Sequence, residues 1–217
     1  LGGDWILEMH SGSVETNSLL DGKHINFNDI LVLPPVDVAG GVLKFAAPSL
    51  YSGTALTAGA VYKYTNVATI SGTQIDAYVT ITGITNATLA TFDQSAPTGY
   101  TPPSGTVAAD AFAPEISVSA ANGRVDFQIN FKDTNGDDLT LLNFYNNSID
   151  IDGSPGVYQE FVEYGGFQSY TRGSPSDLSV TPGVFGTDRM RFTGSSAYNG
   201  LIVNDVGRVQ AKFDAVS

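Results

Sequence analysis

The chain contains no cysteine, which removes disulfides, thiol catalysis and zinc–thiolate sites together. Basic residues are scarce: ten Lys and Arg stand against 22 Asp and Glu in 217 residues, a net charge of −12. Nucleic acid and anionic membrane surfaces demand clustered Lys and Arg, so the balance disfavours both partners. No apolar run reaches the roughly 18–20 residues that span a bilayer, and no signal peptide is visible. Leu1 is not a natural start, so the chain reads as an excised or processed piece with any anchor outside it. The two histidines have no metal-ligand spacing, and neither a GxSxG elbow, a P-loop nor a GxGxxG turn before a helix occurs. None of these motifs points to an enzyme, and the expectation is a binding domain.

What is present is acidic and β-rich. A chain of this length buries roughly 70% of its unfolded surface, enough for one large all-β domain or two small ones. Asp (17) far outnumbers Glu (5). A merely solubilising surface uses both freely, whereas short Asp side chains belong in turns, bonding their own backbone or a metal. Absence of cysteine then suits a bacterial surface protein stabilised by metal.

QIDAYVTIT (Gln74–Thr82) alternates with period two: Ile75, Ala77, Val79 and Ile81 on one face, Asp76, Tyr78 and Thr80 on the other, a half-buried strand. VLKF (Val42–Phe45), AVYKY (Ala60–Tyr64) and TLATF (Thr88–Phe92) are further short strands. Ser95–Ala113 is a long loop, its prolines forbidding a central strand. EISVSAANGRVDFQINF reads as a hairpin turning at Asn122-Gly123. EFVEY (Glu160–Tyr164), DLSV (Asp177–Val180), RMRF (Arg189–Phe192) and RVQAKF (Arg208–Phe213) follow. Many short strands without amphipathic helices predict an antiparallel, jelly-roll-like β-sandwich with long loops over 40–217. Residues 1–39 are less regular, with WILEM (Trp5–Met9) and HINFNDILVLPP (His24–Pro35) as strand candidates packed on the main body.

The chemistry concentrates between Asp133 and Tyr170. DTNGDD offers oxygen donors at Asp133, Asn135 and Asp137, with Asp138 adjoining, as a hard cation such as Ca²⁺ requires. It is not an EF-hand, because Gly136 comes one place early and position twelve is Phe144. As a hairpin end, Asn135-Gly136 needs no metal. In SIDIDG, alternation sets Asp150 and Asp152 on one face about 6.5–7 Å apart, bridging one cation or holding two. That spacing also overlaps glycosidase carboxyl pairs, which leaves a glycan-active reading through Asp150 or Glu163. Glu160 and Glu163 face opposite ways in a strand, so at most one joins the same site. Gly165-Gly166 allows positive φ and close backbone approach, freeing N–H groups for a ligand carboxylate or carbonyl. Tyr164, Phe167, Ser169 and Tyr170 then line the pocket; the alternative is an ordinary turn whose aromatics pack the core.

GAVYKYTNV, TQIDAYVTITG, SIDIDG, EFVEYGGFQSY and RFTG, in this order, resemble a domain of large calcium-dependent RTX-type bacterial adhesins over roughly residues 40–215. The resemblance implies a Ca²⁺-bearing β-sandwich, secreted or at the bacterial surface, a monomeric module of a longer chain serving cell adhesion and biofilm. It implies a peptide C-terminus or a glycan on a target cell as partner. By position it also implies Asn66, Asp76, Asp150, Asp152, Glu160 and Glu163 on the metal side. The expectation is a Ca²⁺-dependent adhesin ligand-binding domain; a calcium-stiffened structural extender is the alternative.

Overall fold

The computed structural model describes residues 35–39, 41–93, 111–148, 151–154, 156, 158–185, 188–197 and 207–216. The expected WILEM strand, nearly all of HINFNDILVLPP and most of the Ser95–Ala113 loop lie outside them. The described residues form fifteen strands and no α-helix.

Period-two alternation dictates the first sheet. β2 (Ser49–Ser52), β3 (Val61–Ile70), β4 (Thr73–Thr85) and β7 (Arg124–Lys132) lie side by side in that order, antiparallel throughout. The register sets Tyr64 and Phe131 on either side of Ala77, and Tyr62 and Ile129 on either side of Val79. Ile75, Ala77, Val79 and Ile81 are fully buried, as the alternation predicts. Lys63, Tyr78, Thr80, Gln128, Asn130 and Lys132 take the opposite face. Beneath the buried face Tyr62 stacks on Phe92 at 3.6 Å, and Phe112 meets Phe127 edge-on at 5.1 Å. Each such buried side chain contributes about 1.5–3 kcal/mol.

Two expected local features differ. Val42–Phe45 is not a strand; it meets β3 through the Lys44 N–H donating to the Val67 carbonyl at 2.8 Å. The chain pairs only after Ala47, which adopts φ 49°, and Pro48, giving β2. The Asn122-Gly123 turn exists, with Asn122 at φ 59°, but its arms do not form one hairpin. β6 (Glu115–Val118) pairs with β5 (Ala87–Thr91), while β7 pairs with β4. The chain therefore changes sheets at two adjacent corners, Asn86 (φ 47°) and Asn122. They are tied by the Asn86 side-chain amide donating to the Ala121 carbonyl at 3.1 Å and the Ser119 N–H donating to the Asn86 carbonyl at 2.9 Å.

The rest of the chain builds two facing sheets. One runs β1 (Val36–Asp37), β8 (Leu141–Ser148), β15 (Val209–Val216), β12 (Ser169–Arg172); β1 is parallel to β8 and the others antiparallel. The other runs β11 (Phe161–Gly165), β14 (Arg189–Gly194), β13 (Leu178–Pro182), all antiparallel. A small ribbon of β9 (Gly153–Ser154) and β10 (Tyr158–Gln159) adjoins them. Their shared core is Ile151, Tyr164, Leu178, Phe192, Val209 and Ala211. Tyr170 meets Phe192 edge-on at 4.9 Å across it. Phe131 and Phe144, 5.6 Å apart, join this core to the β2-β3-β4-β7 sheet. The architecture is all-β, with sheets packed as in a β-sandwich.

Candidate functional site

Asp133 organises the DTNGDD loop as a capped turn. Its Oδ1 accepts the N–H groups of Asn135 (2.8 Å) and Asp137 (2.9 Å), and its Oδ2 accepts the Asn135 amide at 3.0 Å. Burial raises the Asp133 carboxyl, but the donors of Asp137, Asn135 and Gly136 together outweigh it and hold it below its ordinary value. Asp138 pairs with Lys132 at 2.5 Å, and the same ammonium donates to the Gly136 carbonyl. Asp137 lies exposed. The protein's own donors thus answer Asp133 and Asp138.

Asp76 is buried in the core, 2% exposed. The β3 bulge, with Asn66 at φ 57°, turns the Asn66 N–H onto Asp76 Oδ1 at 2.8 Å, and the Gln74 amide adds a second bond at 3.0 Å. Lys63 supplies the cation at 2.9 Å from Oδ2. Burial alone raises this carboxyl; Lys63, Asn66 and Gln74 together outweigh it and hold it below its usual range. Lys63 is pushed up to about 12 by the same bond. Asn66 and Asp76 are therefore neighbours, but through a backbone N–H, with the Asn66 side chain accepting from Thr69. Beside this bulge a shallow groove of about 310 Å³ runs between Gly41–Lys44 and Asn66–Ile70.

Asp152 and Glu160 come to one turn: the Glu160 N–H donates to the Asp152 carbonyl at 2.8 Å, and the Asp152 N–H approaches Glu160 Oε2 at 3.5 Å. Asp150 lies outside the described residues. Among the described residues no three His, Cys, Asp or Glu side chains converge as a metal site. The oxygens of Asp76, Asp133 and Glu163 already take several protein donors.

Glu163 lies on the outer face of β11, opposite Arg191 of β14. Its carboxylate meets Arg191 Nε at 2.6 Å and accepts the successive N–H groups of Val184 (3.0 Å) and Phe185 (3.3 Å). Burial pushes it up, but Val184, Arg191 and Phe185 prevail and hold it below its ordinary value. The Arg191 guanidinium sits 4.0 Å from the Phe161 ring centre and 5.0 Å from that of Phe185. Arg124 covers Phe185 at 3.6 Å and reaches Asp126 at 3.1 Å, and Arg189 approaches Asp126 at 3.9 Å. Sequence reading took RMRF only as a strand; the two-residue spacing of Arg189 and Arg191, which sets both on one face, was the available signal.

The aromatic tail divides between core and surface. Tyr164 is interior, its hydroxyl bonded to Ser148 and, at 3.0 Å, to Asn146, and burial raises it to about 12. Its side chain therefore does not line a surface pocket. Phe167 packs against the same core. Tyr170 is 40% exposed, and Ser169 lies exposed beside it on β12. Gly165 ends β11, and Gly166 makes the turn at φ 72°.

A surface the sequence reading left unassigned is the outer face of β2-β3-β4-β7. Tyr51, 63% exposed, meets Tyr78 edge-on at 5.1 Å. Lys63 and Lys132 stand over the Tyr78 ring at 5.3 and 5.9 Å. Gln128 and Asn130, bonded to each other at 3.2 Å, lie on the same face. Ring faces, amides and ammonium groups together suit a polar ligand with apolar patches.

No family model and no curated protein matches the sequence. Among solved structures, the fold is similar to the N-terminal domain of the Streptococcus gordonii adhesin Sgo0707, with a TM-score of 0.53 and 12% identity. The match covers 85% of this chain and 61% of that one. At this identity the likeness is one of fold alone.

Proposed function

We propose that the chain is a ligand-binding module of a bacterial cell-surface adhesin, recognising a glycan or peptide through the outer face of β2-β3-β4-β7. The observation that carries the reading is the exposed Tyr51 ring set against Tyr78 between two lysines. A sugar ring or an apolar side chain stacks on Tyr51, while Gln128, Asn130 and the ammonium groups bond hydroxyls or carbonyls. The similarity in fold to an adhesin domain supports the setting. In this reading the lysines stay ordered because Asp76 and Asp138 pair with them, so the face is preorganised before ligand arrives.

Calcium enters this reading as a stabiliser of the acidic stretch between Asp133 and Glu163. It supplies fixed positive charge between carboxylates that otherwise repel. Glycan and peptide arrays, run with calcium and with EGTA, test both parts. Tyr51→Ala is expected to lower array binding by about tenfold or more, the scale of one stacked aromatic contact. Calcium is expected to raise the melting temperature, and Asp152→Asn to remove that rise. Binding untouched by Tyr51→Ala refutes the face; a melting temperature indifferent to EGTA refutes the metal.

A further inference from the structure

We infer that the strip around Arg189 on the outer face of β14 is a binding site for a carboxylate group. It is separate from the tyrosine face and stands whether or not that face binds a ligand.

The first argument is shape. Arg189 pairs with Gly165 on β11, and on its other side its carbonyl accepts the Gly183 N–H at 2.7 Å. Glycine thus flanks the arginine on both sides, Gly165 at the end of β11 and Gly183 just past β13. A Cβ at Gly165 would lie 3.2 Å from Arg189 Cγ, and one at Gly183 only 2.5 Å from Arg189 Cβ. The two glycines keep a side-chain-free floor on which the Arg189 stem lies, its side chain 40% exposed. Beyond the end of β11, a Cβ at Gly166 meets nothing within 4 Å, so the strip opens outward there.

The second argument is charge. Arg124, Arg189 and Arg191 are three of only five arginines in a chain of net charge −12. The cluster they form holds two carboxylates, Asp126 and Glu163. Glu163 is committed to Arg191 and two backbone N–H groups. Asp126 sits closest to Arg124 and reaches Arg189 only at 3.9 Å, beyond hydrogen-bond length. With Asp188 next to Arg189 in the chain, the formal charges balance at three against three, but donor capacity is in excess: Arg191 Nη2 is buried without a hydrogen-bond partner.

The third argument is chemistry. A planar guanidinium fork matches a carboxylate by two parallel N–H···O bonds. Arg189 has the weakest internal partner of the three and the greatest access to solvent. A carboxylate seated on it gives the Arg189 fork the partner at hydrogen-bond length that Asp126, at 3.9 Å, does not supply. The group can be offered by an acidic sugar or by an acidic peptide, and the shared chemistry is the carboxylate.

Isothermal titration of the whole chain with glucuronate, N-acetylglycine, glucose and sulfate tests this. Glucuronate or N-acetylglycine is expected to bind saturably, and whichever binds tighter identifies the source; glucose is expected to give no heat. Arg189→Gln is expected to weaken binding about tenfold or more, Arg189→Lys less, and Tyr51→Ala not at all. Because Arg189→Gln leaves both glycines and the Glu163–Arg191 pair in place, its fold is checked by an unchanged melting transition. Equal binding by wild type and Arg189→Gln, no saturable binding of either carboxylate, or sulfate bound as tightly overturns the assignment. Loss of array binding in Tyr51→Ala with carboxylate binding intact separates this site from the tyrosine face.

Discussion

Glu163 and Arg191 face each other across β11 and β14 at 2.6 Å, with 4% of the glutamate side chain and 14% of the arginine side chain exposed. They lie 28 residues apart in sequence, yet they fix the outer face of this sheet. Two aromatic rings wall the guanidinium, and two backbone N–H groups complete the carboxylate.

Breaking this pair from one side leaves an uncompensated charge in a site closed to water. Glu163→Gln is expected to cost about 3–5 kcal/mol, the usual range for a buried ion pair losing one partner. Replacing both by Leu removes the orphaned charge and is expected to cost less than the sum of the single changes. Urea unfolding of the wild type, Glu163→Leu, Arg191→Leu and the double Leu variant decides it: additive losses would mean that the two side chains do not act together.

Tyr164 divides the ligand and packing readings of the aromatic tail. Its hydroxyl bonds Ser148 and Asn146 inside the core. Tyr164→Phe is expected to lower stability by about 1 kcal/mol, the net worth of a buried hydrogen bond, and to leave array binding unchanged. A loss of ligand binding at unchanged stability would return Tyr164 to the recognition surface.

The first sheet was the most legible part of the sequence, because a half-buried antiparallel strand must alternate. Ile75, Ala77, Val79 and Ile81 announce their buried face, and Asp76, Tyr78 and Thr80 the other. The sequence did not reveal that Asp76 is buried on the polar face, since a bulge at Asn66 and the reach of Lys63 close over it. Nor did Asn122-Gly123 reveal its partners: a turn signal fixes local backbone, not which strand lies alongside. The acidic stretch was visible as composition, but oxygen donors in turns also serve the backbone. Asp133 spends its carboxylate there. Glu163 and Arg191 meet only through register, which no short spacing encodes.

Acid is expected to act through carboxylates of opposite sign. Asp76 and Glu163 are held below their ordinary values, so their stabilisation is complete above the unfolded carboxylate pKa of about 4 and is lost as pH falls through the lowered folded values. Asp93 is raised by burial, against the partly offsetting bonds from the Tyr64 hydroxyl at 2.6 Å and the Ala113 N–H at 3.0 Å. Protonating it favours the folded state, so it contributes stability as pH falls. Asp76→Asn is expected to flatten the acid decline of stability, and Asp93→Asn to steepen it. Urea midpoints between neutral pH and pH about 3 check both slopes; matching slopes in the two variants contradict the assignments.

The corner at Asn122-Gly123 carries the crossing between sheets, and its packing predicts an asymmetric response to substitution. A Cβ on Gly123 would fall 2.4 Å from Val118 Cγ1 and 2.6 Å from the Asn86 carbonyl oxygen. The oxygen belongs to the neighbouring corner, itself left-handed and bonded to Ser119 and Ala121, so it cannot retreat without opening both turns. Gly123→Ala is therefore expected to cost about 1–3 kcal/mol, the range for forcing atoms into a filled site. Asn122 stands at φ 59°, where asparagine is tolerated and a β-branched residue is not. Asn122→Gly is accordingly expected to be near neutral and Asn122→Val to cost more than 1 kcal/mol, roughly the left-handed penalty. If the turn merely linked the ends of a free hairpin, Gly123→Ala would be absorbed by local movement. Urea unfolding showing less than about 0.5 kcal/mol, the usual scale of a surface change, would remove the corner from the account of this fold.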